Sequence, residues 1–165
     1  MYLPNQTDNS DSARIRAVEV SHISELIRIG VETNLSPWTA QSYLDEMKNP
    51  DAIMLRLFGE DNTIAGFVVG RLVSGGEIDT QGDAEIYNIA VTKGQQRKGL
   101  GQLLFNAFIS ICKESGVANI WLEVRESNYE AIAFYIKNGF EHFQTRNLFY
   151  DNPREHALLM KLSLK

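Results

Sequence analysis

The stretch Gln95-Gln96-Arg97-Lys98-Gly99-Leu100-Gly101-Gln102 follows a β-like run ending in Asn88-Ile89-Ala90-Val91 and opens the apolar-periodic run Leu103-Leu104-Phe105-Asn106-Ala107-Phe108. A strand, a glycine-bearing turn and a helix start form a device for holding anions. The first amides of a helix lack intrahelical acceptors, and the helix dipole adds partial positive charge at that end. Glycines at 99 and 101 remove side chains that would keep a pyrophosphate away from those amides. Arg97 and Lys98 add mobile positive charge. The stretch reads as a phosphate cradle.

Two common cradles fail on spacing. A P-loop needs G-x-x-x-x-G-K-[ST], and no Gly-Lys-Ser/Thr occurs in the chain. A dinucleotide fingerprint needs a third small residue, whereas Gly99-Leu100-Gly101 continues as Gln102-Leu103-Leu104 and lies past the middle of the chain.

At 165 residues the chain is long enough for one domain with a sizeable core. Apolar residues make up 44% and charged residues 22%, an ordinary globular balance. A net charge of −5 argues against a general nucleic-acid binder and suits a cationic acceptor. The single cysteine, Cys112, excludes an intramolecular disulfide framework and a Cys-rich zinc site. His22, His142 and His156 lack ligand spacing, so no metal is expected. No apolar run approaches the ~20 residues of a membrane span, and no signal-peptide core opens the chain. The expectation is a soluble cytoplasmic protein, with residues 1–12 a loose polar arm and 13–165 the domain.

Periodicity supplies the elements. Arg14 to Val18 alternates as a strand. Ser21 is expected to cap a helix with its stripe at Ile23, Leu26, Ile27, Gly30 and Val31, and Ser36-Pro37 to open a second helix with Tyr43, Leu44 and Met47 inside. Ile53 to Phe58 and Ile64 to Val73 form a hairpin around Gly59 to Asn62. Ser74 to Asp83 is an acidic, glycine-bearing loop, and Glu85 to Val91 a central strand. Leu103, Leu104, Ala107, Phe108, Ile111 and Cys112 stripe the cradle helix, which Gly116 ends. Asn119 to Val124 is a buried strand. Ser127 with Glu130 forms a capping box for a helix through Lys137, closed by Gly139. Glu141 to Arg146 and Ala157 to Leu162 are the last strands. The result is an α+β chain in the order β-α-α-β-β-β-α-β-α-β-β.

Gln96-Arg97-Lys98-Gly99-Leu100-Gly101 resembles the [Q/R]-x-x-G-x-[G/A] signature of the GCN5-related N-acetyltransferases (GNAT), which binds the pyrophosphate of acetyl-coenzyme A. Asn88 to Val91, Trp121 to Asn128 and Ala131 to Phe140 match the core of that family in order and spacing. Within it, the likeness is to the RimI-like branch, which acetylates the N-terminal alanine of a ribosomal protein; Pro37-Trp38 and Arg154 to Met160 fit that branch too. The resemblance spans about residues 14 to 162. It implies a single-domain fold with a mixed, mostly antiparallel sheet flanked by helices. It also implies acetyl-CoA as co-substrate and a protein N-terminus as acceptor, with no membrane or direct nucleic-acid partner.

Acetyl transfer to an amine needs a proton acceptor, a donor for the developing oxyanion and an acid for the departing thiolate. By resemblance, Glu123 is the base, Tyr135 the acid and the Val91 amide the oxyanion donor. Glu85, opening the central strand, is the rival base. The cofactor-binding set is Ile89, Ala90, Val91, Gln96, Arg97, Lys98, Gly99, Leu100, Gly101, Gln102 and Asn128. Trp38, Phe149 and Tyr150 wall the acceptor slot. Each has a plainer reading: Glu123 facing water or paired with Arg125, Tyr135 packed with a satisfied hydroxyl, the aromatics as core. Two other functions stay open, an acetyltransferase for a small free amine (a polyamine, amino acid or aminoglycoside) and a non-catalytic acyl-CoA sensor. Asp79, Asp83 and Glu85 would favour a polycation; the Glu123 and Tyr135 pair favours turnover.

Overall fold

The computed structural model describes residues 14–73 and 82–164. The expected arm 1–12 and positions 74–81 of the expected acidic loop lie outside the described residues. The chain runs β1 (Ile15–Ala17), α1 (Ile23–Glu32), α2 (Ala40–Met47), β2 (Ala52–Phe58), β3 (Ile64–Val73), β4 (Asp83–Val91), α3 (Leu100–Glu114), β5 (Asn119–Arg125), α4 (Tyr129–Lys137), β6 (Glu141–Asp151) and β7 (Arg154–Ser163). The seven strands form one sheet in the order β1-β2-β3-β4-β5-β7-β6, with only β4 and β5 parallel. The expected element order and sheet class are those observed.

Two apolar clusters cover the two sides of the sheet. One gathers Leu104, Phe108, Ile111 and Cys112 of α3 with Ile120, Leu122 and Val124 of β5 and Tyr135 of α4. The other packs Leu26 and Ile29 of α1 and Tyr43 of α2 against Met54, Phe67 and Val69. The approach of α3 depends on Gly70: a Cβ there would stand 2.6 Å from the Phe108 ring and 2.3 Å from the Glu85 carbonyl oxygen. Burial pushes the Cys112 thiol up to about 12, as befits a small core side chain. Among the described residues no helix is long and apolar enough to cross a membrane.

Local starts differ from expectation in three places. Ser21 lies inside a short 3₁₀ turn, Val20–His22, and Glu19 and His22 make the reciprocal capping box instead. The stripe of α1 runs through Ile29, while Val31 is 76% exposed. Pro37 lies outside α2: Thr39 caps it, its hydroxyl accepting from the Ser42 amide at 3.1 Å. At α4 the cap is Asn128, whose side chain accepts from the Ala131 amide, not Ser127. In each case a polar side chain one to three residues from the expected cap satisfies the orphan amides of the first turn.

β4 carries the defect that positions the site. Its register against β3 passes from Val69↔Asn88 to Gly70↔Ile86, leaving Tyr87 as an extra residue. The bulge exchanges the faces of the strand. Ala84 and Ile86 before it, and Ile89 and Val91 after it, join the α3 side, whereas Tyr87 and Ala90 join the α1–α2 side.

The α1 entry contains a proton-sensitive knot. His22 Nδ1 accepts from both the Glu19 amide (3.0 Å) and Arg56 Nε (3.1 Å) of a buried arginine, so this nitrogen is unprotonated. Burial and then the Arg56 charge lower the His22 pKa below its ordinary value, against an upward pull from Glu19. A depressed pKa gives stability that is fully present above about pH 6.5 and is lost as pH falls through the folded value. Urea unfolding at pH 7.5 and 5.5 is expected to show a lower midpoint at the acidic pH. Part of that difference should vanish in His22→Gln; an unchanged difference would remove His22 as its source.

Candidate active site

β4 and β5 pair only from Asp83↔Asn119 to Ile86↔Leu122. Past this point β5 remains paired to β7 through Glu123↔Leu159, Val124↔Leu158 and Arg125↔Ala157, while β4 diverges after its bulge. The sheet therefore forks, and Glu123 is the first β5 residue beyond the last pair. A cleft of about 460 Å³ opens here, lined by Ile89, Ala90 and Val91, by the 96–102 turn, and by Asn128, Phe134 and Tyr135. Because Ala90 belongs to one core and Tyr135 to the other, the cleft passes through the plane of the sheet.

Backbone direction gives the cleft its donors. The Thr92 amide donates to the Ala65 carbonyl on the β3 side at 2.8 Å. Strand alternation turns the Val91 N–H and C=O to the opposite edge, facing the fork. There Gln96 Nε2 donates to the Val91 carbonyl at 2.9 Å, which bolts the turn to the strand end. The other side of the turn is held by Glu32, which accepts from the Lys93 amide (2.6 Å) and from the Thr92 hydroxyl (2.9 Å). The Lys93 amide and then the Thr92 hydroxyl hold the Glu32 carboxyl below its ordinary range.

Gly99 has φ +79° at the N-cap of α3 and brings no side chain to cap the amides that follow. A Cβ on Gly101 would meet only Val91 Cγ2, at 3.8 Å, so open space lies over the first turn. Uncapped amides at the positive end of a 15-residue helix beside an open cleft fit a polyanion. Arg97 lines the same mouth and pairs with Glu130 at 3.3 Å, both more than 80% exposed. Lys98 turns away to Gln95 at 3.0 Å and does not line the cleft. Gln102 lines it while donating to Asn138 at 2.6 Å, and Leu100, buried, anchors the turn in the core. Asn128 reaches the cleft as the cap of α4.

Tyr135 is buried against Phe134 and Phe140, with centroids 5.7 and 5.6 Å away. Burial and then the nearby Tyr150 push its phenol well above the ordinary tyrosine range, so it stays protonated. Glu123 and Trp121 point to the other side of β5 from Ile120, Leu122 and Val124. Glu123 is ion-paired with Arg146 of β6, not with Arg125. Arg125 pairs with Glu155 at 2.7 Å and donates to the Asn152 and Pro153 carbonyls, tying β5 to the β6–β7 turn. It also lies 4.0 Å over the Tyr150 ring, and Arg146 lies 4.1 Å over Phe149. Tyr150 is pushed up by burial and then by the charge of Glu123. Glu85 is pushed up by burial and then by Glu123. Trp38 packs on Tyr43 (5.2 Å) and Tyr87 (5.7 Å), at the rim of the α1–α2 core.

Comparison with known proteins identifies the family of the fold that carries this geometry. The GNAT acetyltransferase family model matches residues 22–140. The chain belongs to the GNAT family. The acetyltransferase is 34% identical over 149 residues to the [ribosomal protein bS18]-alanine N-acetyltransferase of Haemophilus influenzae, covering 88% of this chain and 95% of that one. It superposes on the crystal structure of the ribosomal-protein-S18-alanine N-acetyltransferase from Escherichia coli with a TM-score of 0.78 at 29% identity, covering 92% and 93%. It superposes on Ard1 from Thermoplasma volcanium with a TM-score of 0.79 at 27% identity, covering 92% and 97%. The protein is an acetyl-CoA-dependent N-acetyltransferase, and its cradle suits the pyrophosphate of that co-substrate. Among the described residues no cluster of His, Cys, Asp and Glu could hold a metal ion.

The fork brings Ile89, Ala90, Val91, Gln96, Arg97, Gly99, Leu100, Gly101, Gln102, Asn128 and Tyr135 to one cleft. Lys98 lies outside it, as do Glu123 and Glu85; Phe149 packs under the Arg146 that pairs with Glu123, and Tyr150 under Arg125. Sequence reasoning missed Arg146, Glu155, Arg71 and Glu46 and offered Arg125 to Glu123 rather than to Glu155; these pairings join elements far apart in the chain. Thr33 and Leu35 of the α1–α2 connection, and Ala131 and Phe134 of α4, also line the cleft without having been expected there. The one available signal was the buried position of Glu46 on the inward face of α2.

Gly99→Ala is expected to cost about 1–2 kcal/mol of stability, from a left-handed residue with a Cβ, measured by denaturant unfolding. Gly101→Leu should leave stability near wild type but weaken coenzyme A binding in calorimetry. Wild-type affinity in Gly101→Leu would overturn the cradle.

Proposed function

We propose that this enzyme transfers acetyl to a protein N-terminal α-amine, the N-terminal alanine of a small-subunit ribosomal protein being the preferred acceptor. The observation that carries this reading is Glu123 standing at the fork, the first side chain past the last β4–β5 pair. The likeness to bS18-alanine N-acetyltransferases supports the acceptor. An α-amine titrates near 8 against about 10.4 for lysine, so a single carboxylate is base enough at neutral pH.

Acetyl-CoA supplies the acetyl group already activated as a thioester. The α3 amides, with Arg97, hold its pyrophosphate. The Val91 N–H faces the fork to donate to the oxygen that gains charge. Glu123 accepts the proton from the α-amine, leaving the lone pair free to attack, with Glu85 as a second carboxylate one pair further back. The high-pKa phenol of Tyr135 keeps its proton until the sulfur departs. Tyr150, Phe149 and Trp38 line the approach of the peptide, and Arg146 gives up Glu123 to the incoming ammonium. Holding both substrates at one fork replaces much of the entropy cost of a bimolecular step.

Mass spectrometry of a peptide panel incubated with acetyl-CoA tests the acceptor. A +42 Da shift confined to the α-amine of alanine-starting ribosomal peptides is expected; labelling only of lysines or polyamines would overturn it. Glu123→Gln should lower kcat by at least about 10²-fold with coenzyme A affinity unchanged in calorimetry. Tyr135→Phe should slow transfer while the unfolding midpoint stays near wild type. Wild-type turnover in either variant would remove that residue from the chemistry.

A further inference from the structure

Glu85 stands directly opposite Arg71 on β3 and Trp121 on β5, so these side chains share the acceptor face. Arg71 is not a free-swinging cation. Glu46 of α2, 5% exposed, grips it with both carboxylate oxygens, Nε to Oε1 at 3.0 Å and Nη2 to Oε2 at 2.5 Å. A bidentate fork fixes both the position and the plane of a guanidinium. The Arg71 guanidinium lies 5.7 Å from the Tyr87 ring centroid, and the Tyr87 side chain favours the charged form of Glu85.

Among the described residues, the charged and titratable groups acting on Glu85 are Arg71 from β3, backed by Glu46 from α2, Tyr87 on its own strand, Glu123 from β5 and Arg146 from β6. Asp83, two residues earlier on β4, is held by Asn119 and Trp121. Burial and Glu123 press Glu85 toward its neutral form, while Tyr87, Arg71 and Arg146 oppose them. Arg146 is committed to Glu123. Arg71 is the cation locked in place opposite Glu85.

With Glu46 buried and Arg71 partly exposed, this pair gains little net stability, because desolvating the carboxylate offsets much of the Coulombic attraction. What this pair does supply is a fixed positive charge at the back of the acceptor slot. We propose that Arg71, held by Glu46, is a positioning residue that keeps Glu85 ionised beside Glu123, so that the slot presents a second proton-accepting carboxylate at neutral pH. This rests on the reading of the slot as the acceptor side of an amine acetyltransferase.

The acid limb of kcat/KM reports the carboxylates of the free enzyme as a coupled pair. The test is that limb, measured on whichever amine the wild type acetylates. The double variant Glu46→Gln/Arg71→Gln removes both charges and keeps an amide hydrogen bond in their place. Its limb is expected to move up by about one pH unit, with the high-pH plateau near wild type. The same double substitution in a Glu85→Gln background should leave the limb where Glu85→Gln alone puts it. Arg71→Lys keeps the charge without the fork, and its limb should stay near that of the wild type. A wild-type limb in the double variant, or an equal shift with and without Glu85, would overturn the proposal. If the double variant fails to fold, a limb in Arg71→Lys shifted by a full unit would overturn it as well. Failure of the wild type to acetylate any α-amine would instead overturn the acceptor reading, since the limb can still be read on a small amine.

Discussion

The parting of β4 from β5 after Ile86 and Leu122 is the constraint on which the rest of the structure depends. Two causes act together. The bulge at Tyr87 bends β4 and exchanges its faces, while β5 stays paired along its opposite edge to β7 through Arg125. Without the bulge, Ile89 and Val91 would face the α1–α2 side and the strand end would lose its place against α3. Without the fork, the Val91 amide would meet another strand rather than a substrate. The cleft, the direction of the Val91 amide and the location of Glu123 all follow from one unpaired residue.

Around this opening, ion pairs act more as rivets than as sources of stability. Arg125–Glu155 ties β5 to the β6–β7 turn, Arg146–Glu123 spans β6 and β5, and Arg71–Glu46 joins β3 to α2. Glu155 is held below the ordinary carboxylate range by Arg125 and then by the Ser127 contact, so it stays charged through neutral pH. The first two reinforce strands that the sheet already joins, whereas Arg71–Glu46 links a strand to a helix that sheet hydrogen bonds do not reach. Aromatic rings under the guanidiniums, Tyr150 and Phe149, keep the two arginines over the face.

Much of this was legible in the residues, and what was not has a physical reason. Strand and helix identities follow from local periodicity, and the cradle is contiguous, so Gln96 to Gln102 could be read as one device. The bulge leaves no mark, because Glu85 to Val91 looks like any half-buried strand. Helix starts were misplaced where two candidate caps lie within a turn, as with Ser127 and Asn128, and only backbone geometry chooses between them. The stripe of α1 was drawn through Val31 because Ile29 and Val31 both fit a helical period, and the choice is made by packing on β3. Partners such as Arg146 for Glu123 are 23 residues apart, and their meeting depends on the β7 strand order. Lys98 illustrates the opposite error: charge beside a cradle is not contact with it.

The anion site is built from main-chain amides, whereas the acceptor face is built from side chains. Amides are the same whatever residue carries them, so the helix start tolerates drift at most positions provided Gly99 keeps its left-handed turn and Gly101 leaves the space over the first turn open. The proposed acceptor face has no such insulation, since every change at Glu85, Tyr87, Arg146 or Tyr150 alters its charge or shape. The two halves of the enzyme can therefore diverge at different speeds. A lineage can change the amine it modifies by editing β6 and the rim of α2 while inheriting its acyl donor intact.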